Sequence, residues 1–143
     1  MDQNETLTGL GGLAASLSTD VHAARDHLDK HGEIPGKLLH QLREAGAFRL
    51  LTPRELGGVE APLPTVLGVY EEFGRLDASV AWLIWNGNWG FIGALLDTSG
   101  IGQIWTEAKP DPVFANSGTP GIATPAVGGY MISGTWRIVS GIN

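Results

Sequence analysis

Hydrophobic and polar positions alternate with two different periods along this chain, and the change falls near residue 110. Leu10, Leu13, Leu17, Val21, Ala24 and Leu28 recur at three- and four-residue steps. That spacing puts them on one face of a helix and predicts a first helix over Thr6–His31. Gly9, Gly11 and Gly12 weaken its start. Within it, Arg25 with Asp29 and Asp26 with Lys30 stand at the i,i+4 spacing of ion pairs. Gly32-Glu33-Ile34-Pro35 ends the helix, and Pro35 suits the first turn of a second one with Leu38, Leu39, Leu42 and Ala45 as its apolar stripe. Gly46 is placed to terminate it. Phe48, Leu50 and Leu51 form a short apolar tie, and 52–58 reads as a loop.

A third helix is expected from Pro62 or Pro64, with Val66, Leu67, Tyr70, Phe73 and Leu76 on one side and Glu71 and Glu72 outward. Asp77 is a good N-cap for a fourth, Ala78 to about Leu96. This fourth helix is apolar nearly all round: Trp82, Trp85, Trp89 and Ile92 on one face, Val80, Ile84, Phe91 and Leu95 on another. Such a helix belongs in the middle of a fold. Thr98 or Ser99 can cap a short fifth helix. After Pro110-Asp111-Pro112 the pattern becomes strand-like: Val113–Ser117, a hairpin around Gly128-Gly129, and Thr135–Ser140. Helices followed by strands predict an α+β fold: a mostly helical bundle over 1–110, then the first strands of an antiparallel β-domain over 111–143.

Composition narrows the class of function. The 143 residues are 43% hydrophobic and 17% charged, a globular balance. The net charge of −6 and the lack of any Lys/Arg cluster argue against nucleic acid as a partner. With no cysteine, disulfides, thiolate metal sites and a cysteine nucleophile are excluded. Val80–Leu96 is uncharged but falls short of the ~20 residues of a membrane span and is interrupted by Asn86 and Asn88. The start, Met1-Asp2-Gln3-Asn4-Glu5, is acidic, unlike a signal peptide. A cytoplasmic location without membrane attachment is expected.

Few residues carry an obvious chemistry. His27 and His31 share one helix face, but no third metal ligand or HExxH accompanies them, so no metal site is expected. Gly57-Gly58 and Gly128-Gly129 match neither a dinucleotide nor a P-loop pattern and read as turns. Trp82, Trp85 and Trp89 have two readings: core packing, or a rigid apolar wall for a planar ring ligand, with Trp85 and Trp89 lining the pocket.

The motifs also carry a family likeness. Arg25, His31-Gly32-Glu33-Ile34-Pro35, Leu42-Arg43-Glu44-Ala45-Gly46-Ala47-Phe48-Arg49-Leu50-Leu51-Thr52-Pro53, Glu55-Leu56-Gly57-Gly58 and Asp77-Ala78-Ser79-Val80-Ala81-Trp82 resemble, in order and spacing, the amino-terminal helical domain of the acyl-CoA dehydrogenase superfamily. The tail from Pro120 to Trp136, followed by Ser140-Gly141, resembles the start of that family's middle β-domain. It is most similar to the flavin-dependent aromatic hydroxylases that work with a separate flavin reductase. Dehydrogenases would show Thr-Glu-Pro and Gly-Ser-Asp after the first strand, where this chain has Asn116-Ser117-Gly118-Thr119.

The resemblance implies a flavin, FAD or FMN. It implies that Ser117 and Ser140 face the polar edge of the ring and that Ile138 presses on it. A hydroxyl there can donate to a ring nitrogen or accept from an N–H. Two activities remain open: oxidation of an acyl-CoA thioester, or hydroxylation of an aromatic ring with reduced flavin and O2. A second class is a non-catalytic module that pairs with another polypeptide. In the family, the catalytic base and the cover over the flavin come from a carboxy-terminal helical bundle. The resemblance therefore implies no catalytic residue in these 143 residues, no turnover or retained flavin by the chain alone, and a homo-oligomer or second polypeptide completing the β-domain.

Overall fold

The computed structural model describes residues 9–106, 112–137 and 139. Five α-helices lie wholly within them: α1 (Leu13–His31), α2 (Gly36–Glu44), α3 (Leu63–Leu76), α4 (Ala78–Gly87) and α5 (Thr98–Ile104). A two-stranded antiparallel sheet follows, β1 (Ile122–Ala126) with β2 (Gly129–Ser133). The fold is α+β, mostly helical with a short sheet.

The predicted stripes become the core. Leu13, Leu17, Val21, Ala24 and Leu28 of α1 are buried, as are Leu38 and Leu42 of α2, Val66, Val69 and Phe73 of α3, and Val80 and Ile84 of α4. α3 packs on both α1 and α4. Burying a side chain of this size yields about 1.5–3 kcal/mol relative to leaving it in water. These stripes therefore fix how the helices meet. Among the described residues α1 is continuous from Leu13, with Gly12 as an N-cap that offers no side chain. Gly32 closes it at φ 70°, where a side chain would be strained, and its N–H reaches the Leu28 carbonyl. Gly46 ends α2 in the same left-handed region at φ 77°.

Arg25 does not pair with Asp29. It reaches across to the end of α3, where its guanidinium donates to the Leu76 carbonyl and lies 3.9 Å from Asp77. Asp77 is the only residue between α3 and α4: extended (φ −161°, ψ 121°), it ends one helix and caps the next, accepting from the N–H groups of Ser79 and Val80. The pair Glu71–Arg75 forms on α3 at 2.6 Å. Glu71 is exposed as expected, while Glu72 is half-buried.

Four expectations are corrected. The fourth helix stops at Gly87, not near Leu96, and Gly90–Leu95 continues as a 3-10 turn. The cause is Asn88, whose side chain is drawn into the core and breaks the repeat. The cap of α5 is Asp97, which accepts from Gly100 N–H, rather than Thr98 or Ser99. In the tail, Val113–Ser117 is extended but forms no ladder beyond a single bridge position at Asn116, and no strand covers 134–137. The last predicted strand, Thr135–Ser140, falls partly outside the described residues. The hairpin is present but its loop is Val127-Gly128: Ala126 pairs with Gly129, and Gly128 takes φ 80°. One position separates this from the expected Gly128-Gly129 loop: Gly129 pairs with Ala126 as the first residue of β2.

Candidate functional site

α4 and its C-cap carry two buried polar residues, one of which joins the helical part to the tail. Asn86 and Asn88 stand in an apolar segment and are both buried. A buried amide must find partners or cost the full loss of its hydration. Asn88 uses both ends: Oδ1 accepts from Leu50 N–H at 2.8 Å, and Nδ2 donates to the Ala47 and Ile84 carbonyls at 2.6 and 2.9 Å. It staples the end of α4 to the apolar tie after α2. Asn86 Nδ2 donates to the Trp82 carbonyl at 2.8 Å, while its Oδ1 accepts from Asn116 Nδ2 at 3.0 Å.

That second bond brings Asn116, and with it Ser117, to the side of α4. The approach is close, and a Cβ on Gly87 would lie 2.4 Å from the Phe48 ring and 3.3 Å from Val113. Phe114 adds a ring contact with Trp105, centroids 5.8 Å apart. Beyond Asn116, Ser117 Oγ donates to the Arg137 carbonyl at 3.0 Å and accepts from Thr119 N–H at 3.2 Å. It ties together the two segments that flank the hairpin. Trp136 closes the same end of the hairpin over glycines: a Cβ on Gly121 or Gly134 would come within 2.6 or 2.8 Å of its indole.

The tryptophans do not form one wall. Trp82 and Trp85 pack against each other, tilted by 41° with centroids 5.0 Å apart, and are 55% and 43% exposed, too open for core residues. Trp89 lies past the helix end, half-buried, against Phe91 at 5.3 Å. The candidate pocket pair Trp85 and Trp89 is thus divided between two ring pairs. Of the three candidate flavin contacts, Ser117 is described; Ile138 and Ser140 lie outside the described residues. His27 and His31 rings are 4.4 Å apart, with His27 Nε2 3.7 Å from Glu33. Among the described residues no group of three His, Asp or Glu side chains could hold a metal ion, and no helix is long and apolar enough to cross a membrane.

Sequence reasoning missed Asn86 and Asn88 as anchors, although two amides in a run without charges are a signal of buried hydrogen bonds. Thr52 was also missed. It is buried, and it sits so close to two glycines that a Cβ on Gly90 or Gly58 would lie 1.9 Å from its side-chain or main-chain oxygen.

Comparisons with known proteins bear on the family and the fold. Residues 13–100 match the family described as Acyl-CoA dehydrogenase, N-terminal domain. Among curated proteins, a pigment production hydroxylase of Rhodococcus erythropolis is 26% identical over 133 residues, covering 88% of this chain and 32% of that protein. An indole-3-acetate monooxygenase of Pseudomonas putida is 29% identical over 114 residues, covering 79% and 29%. The oxygenase component of an FADH2-dependent resorcinol hydroxylase of Rhizobium is 26% identical, covering 92% and 32%. The structure of XiaF from Streptomyces sp. in complex with FADH2 and glycerol superposes with a TM-score of 0.83 at 18% identity, covering 94% of this chain and 34% of that one. The chain spans about a third of the length of the curated relatives it matches.

Proposed function

The chain belongs to the acyl-CoA dehydrogenase family through its N-terminal domain, and from that premise we propose that it is the amino-terminal part of a flavin-dependent monooxygenase acting on an aromatic ring. In this reading residues 1–110 form the helical domain and 111–143 begin the β-domain. The carrying observation is the half-exposed Trp82–Trp85 pair on the helix to which Asn116, and so Ser117, is hydrogen-bonded. The relatives' names support an aromatic substrate over an acyl-CoA thioester. So does the absence of the dehydrogenase Thr-Glu-Pro and Gly-Ser-Asp signals around Ser117.

Ser117 is chemically suited to a reduced flavin. Its proton is given to Arg137 and one lone pair to Thr119, so one lone pair remains. It can accept from a ring N–H without giving up either bond, whereas donating to an oxidised ring nitrogen would cost the Arg137 contact. A reduced flavin, when bound, supplies the two electrons of the oxygenation. Ile138 and Ser140 complete the ring's contacts in this proposal. Trp85 and Trp89 border the substrate, Trp89 from the 3-10 side. FAD is favoured over FMN because the resorcinol hydroxylase and XiaF are both described with FADH2. The partners are then a flavin reductase, as for an oxygenase component, and further polypeptide, from a second copy or another chain, over the exposed hairpin. The setting is the cytoplasm.

Of the described acids near the tryptophans, Glu71 pairs with Arg75 and Asp77 is spent on capping. The 143 residues alone should therefore show no turnover. Ligand titration followed by NMR tests the substrate class. Resorcinol or indole-3-acetate should shift the indole N–H signals of Trp82 and Trp85, and butyryl-CoA should leave them in place. Shifts from the thioester alone would overturn the aromatic reading in favour of dehydrogenation.

A second reading, a module that pairs with another polypeptide without chemistry of its own, is favoured by one observation: every residue of β1 and β2 is exposed.

A further inference from the structure

We propose that Asn86 and Asn116 are positioning residues: their single side-chain hydrogen bond sets where Ser117 and the β-hairpin stand relative to the Trp82–Trp85 pair. The inference gives a role to two residues that the proposed ring site does not itself use, and it rests on that reading only for its functional meaning.

The argument begins with direction. The Trp82 carbonyl can only accept, so Asn86 must turn its Nδ2 toward it, and the bond is 2.8 Å. That fixes Asn86 Oδ1 on the other side, facing Asn116. Position 116 must then supply a donor, which Asn116 Nδ2 does at 3.0 Å. An acceptor at 116 cannot be accommodated by flipping Asn86, because the flip would set Oδ1 against the Trp82 carbonyl. Since Asn86 is 1% exposed, no water replaces the lost partner cheaply.

The second part concerns what else holds the hairpin. Its strands are exposed along their whole length, so they make no buried contact with the helices. Val113 packs against the core and Phe114 against Trp105, so the incoming segment is anchored up to that point. Asn116, which also holds a backbone bridge position, is the last anchor before the hairpin, and its side chain bonds from there to α4. Immediately after it, Ser117 couples the incoming segment to the outgoing one at Arg137. Moving Asn116 therefore moves Ser117, Arg137 and the hairpin together. Asn88, two residues on and just past the end of α4, has a different task, since its partners are Leu50, Ala47 and Ile84 in the helical part.

Backbone 15N relaxation of the 143-residue chain tests the proposal, with Asn116→Asp as the disrupting variant and Asn116→His as the conservative one. Asparagine and aspartate have the same shape, but the carboxylate removes the donor. A histidine Nδ1–H can occupy the place of the amide N–H. In the parent, amides of 122–133 should have order parameters near the ~0.85 of rigid backbone, matching α1. In Asn116→Asp they should fall below ~0.6 while α1 and α3 keep their values. Asn116→His should restore them. The proposal is overturned if the hairpin is already mobile in the parent, or if Asn116→Asp leaves it rigid. It is equally overturned if the helices loosen together with the hairpin, which would make the bond a general element of the fold. None of these readouts requires bound flavin or aromatic ligand, so failure of the ring-site reading would appear separately, in the ligand titration.

Discussion

At the scale of single residues, the buried polar groups decide more than their number suggests. Asn88 satisfies a backbone donor and two carbonyls that no repeating structure serves. Asn88→Ala should destabilise the chain by about 2–4 kcal/mol, because Leu50 N–H and the Ala47 carbonyl would be left buried and unpaired. Urea unfolding followed by circular dichroism measures this directly. Tyr70 shows the opposite situation. Its hydroxyl is buried with no partner among the described residues, and burial pushes its pKa from 10.0 up to about 12. A folded pKa above the unfolded one means stability that is whole below pH 10.0 and is lost as pH rises toward about 12, since the unfolded chain ionises first. Tyr70→Phe should therefore leave Tm unchanged or raised at pH 7, and should flatten its decline across that alkaline window. Thermal melts of both proteins in matched buffers would show it. Equal declines would place the alkaline sensitivity elsewhere.

At the scale of elements, local chemistry and tertiary chemistry divide the outcome. The stripes from Leu13 to Leu28 and from Val66 to Phe73 were legible because a 3.6-residue period needs only the sequence to be seen. Asp77 was legible as a cap for the same reason: its partners, Ser79 and Val80, are two and three residues away. Asp77→Ala should cost about 1–2 kcal/mol by leaving those N–H groups unserved, and more than Asp97→Ala, which removes one such bond from an exposed helix. Guanidinium unfolding of the two variants makes the comparison. The end of α4 was not legible, because Asn88 stops the helix by bonding to residues about forty positions earlier. Nor was the choice of Arg25 for Leu76 and Asp77 over Asp29. The family likeness named Ser117 as a site residue, but its ties to Arg137 and Thr119 depend on how the tail folds back.

At the scale of the molecule, the helical part is organised around one core, and the hairpin is its opposite. Ile122, Tyr130, Met131 and Ile132 are exposed, and the segment from Val113 to Trp136 has no charged side chain. Pro125 blunts one edge, since proline is tolerated in a strand where its missing N–H faces away from the partner. The edge of β2 has no such protection, and open uncharged edges recruit further strands. The chain should therefore self-associate with rising concentration, and Ile132→Lys should shift it toward monomer in sedimentation velocity. An unchanged distribution would show that the β2 edge is not the contact.

The single residue joining α3 to α4 has a consequence for how such a chain can change over generations. Asp77 leaves no slack between the two helices. Adding one residue there would turn α4 by about 100° about its axis. Val80 and Ile84 would rotate out of the core and Trp82 toward it, with Asn86 and Asn88 carried away from Asn116 and Leu50 together. Insertions and deletions accumulated by descendants of this gene should therefore fall in the exposed turn at Val127-Gly128, and the Leu76-Asp77-Ala78 junction should keep its length even where its letters drift.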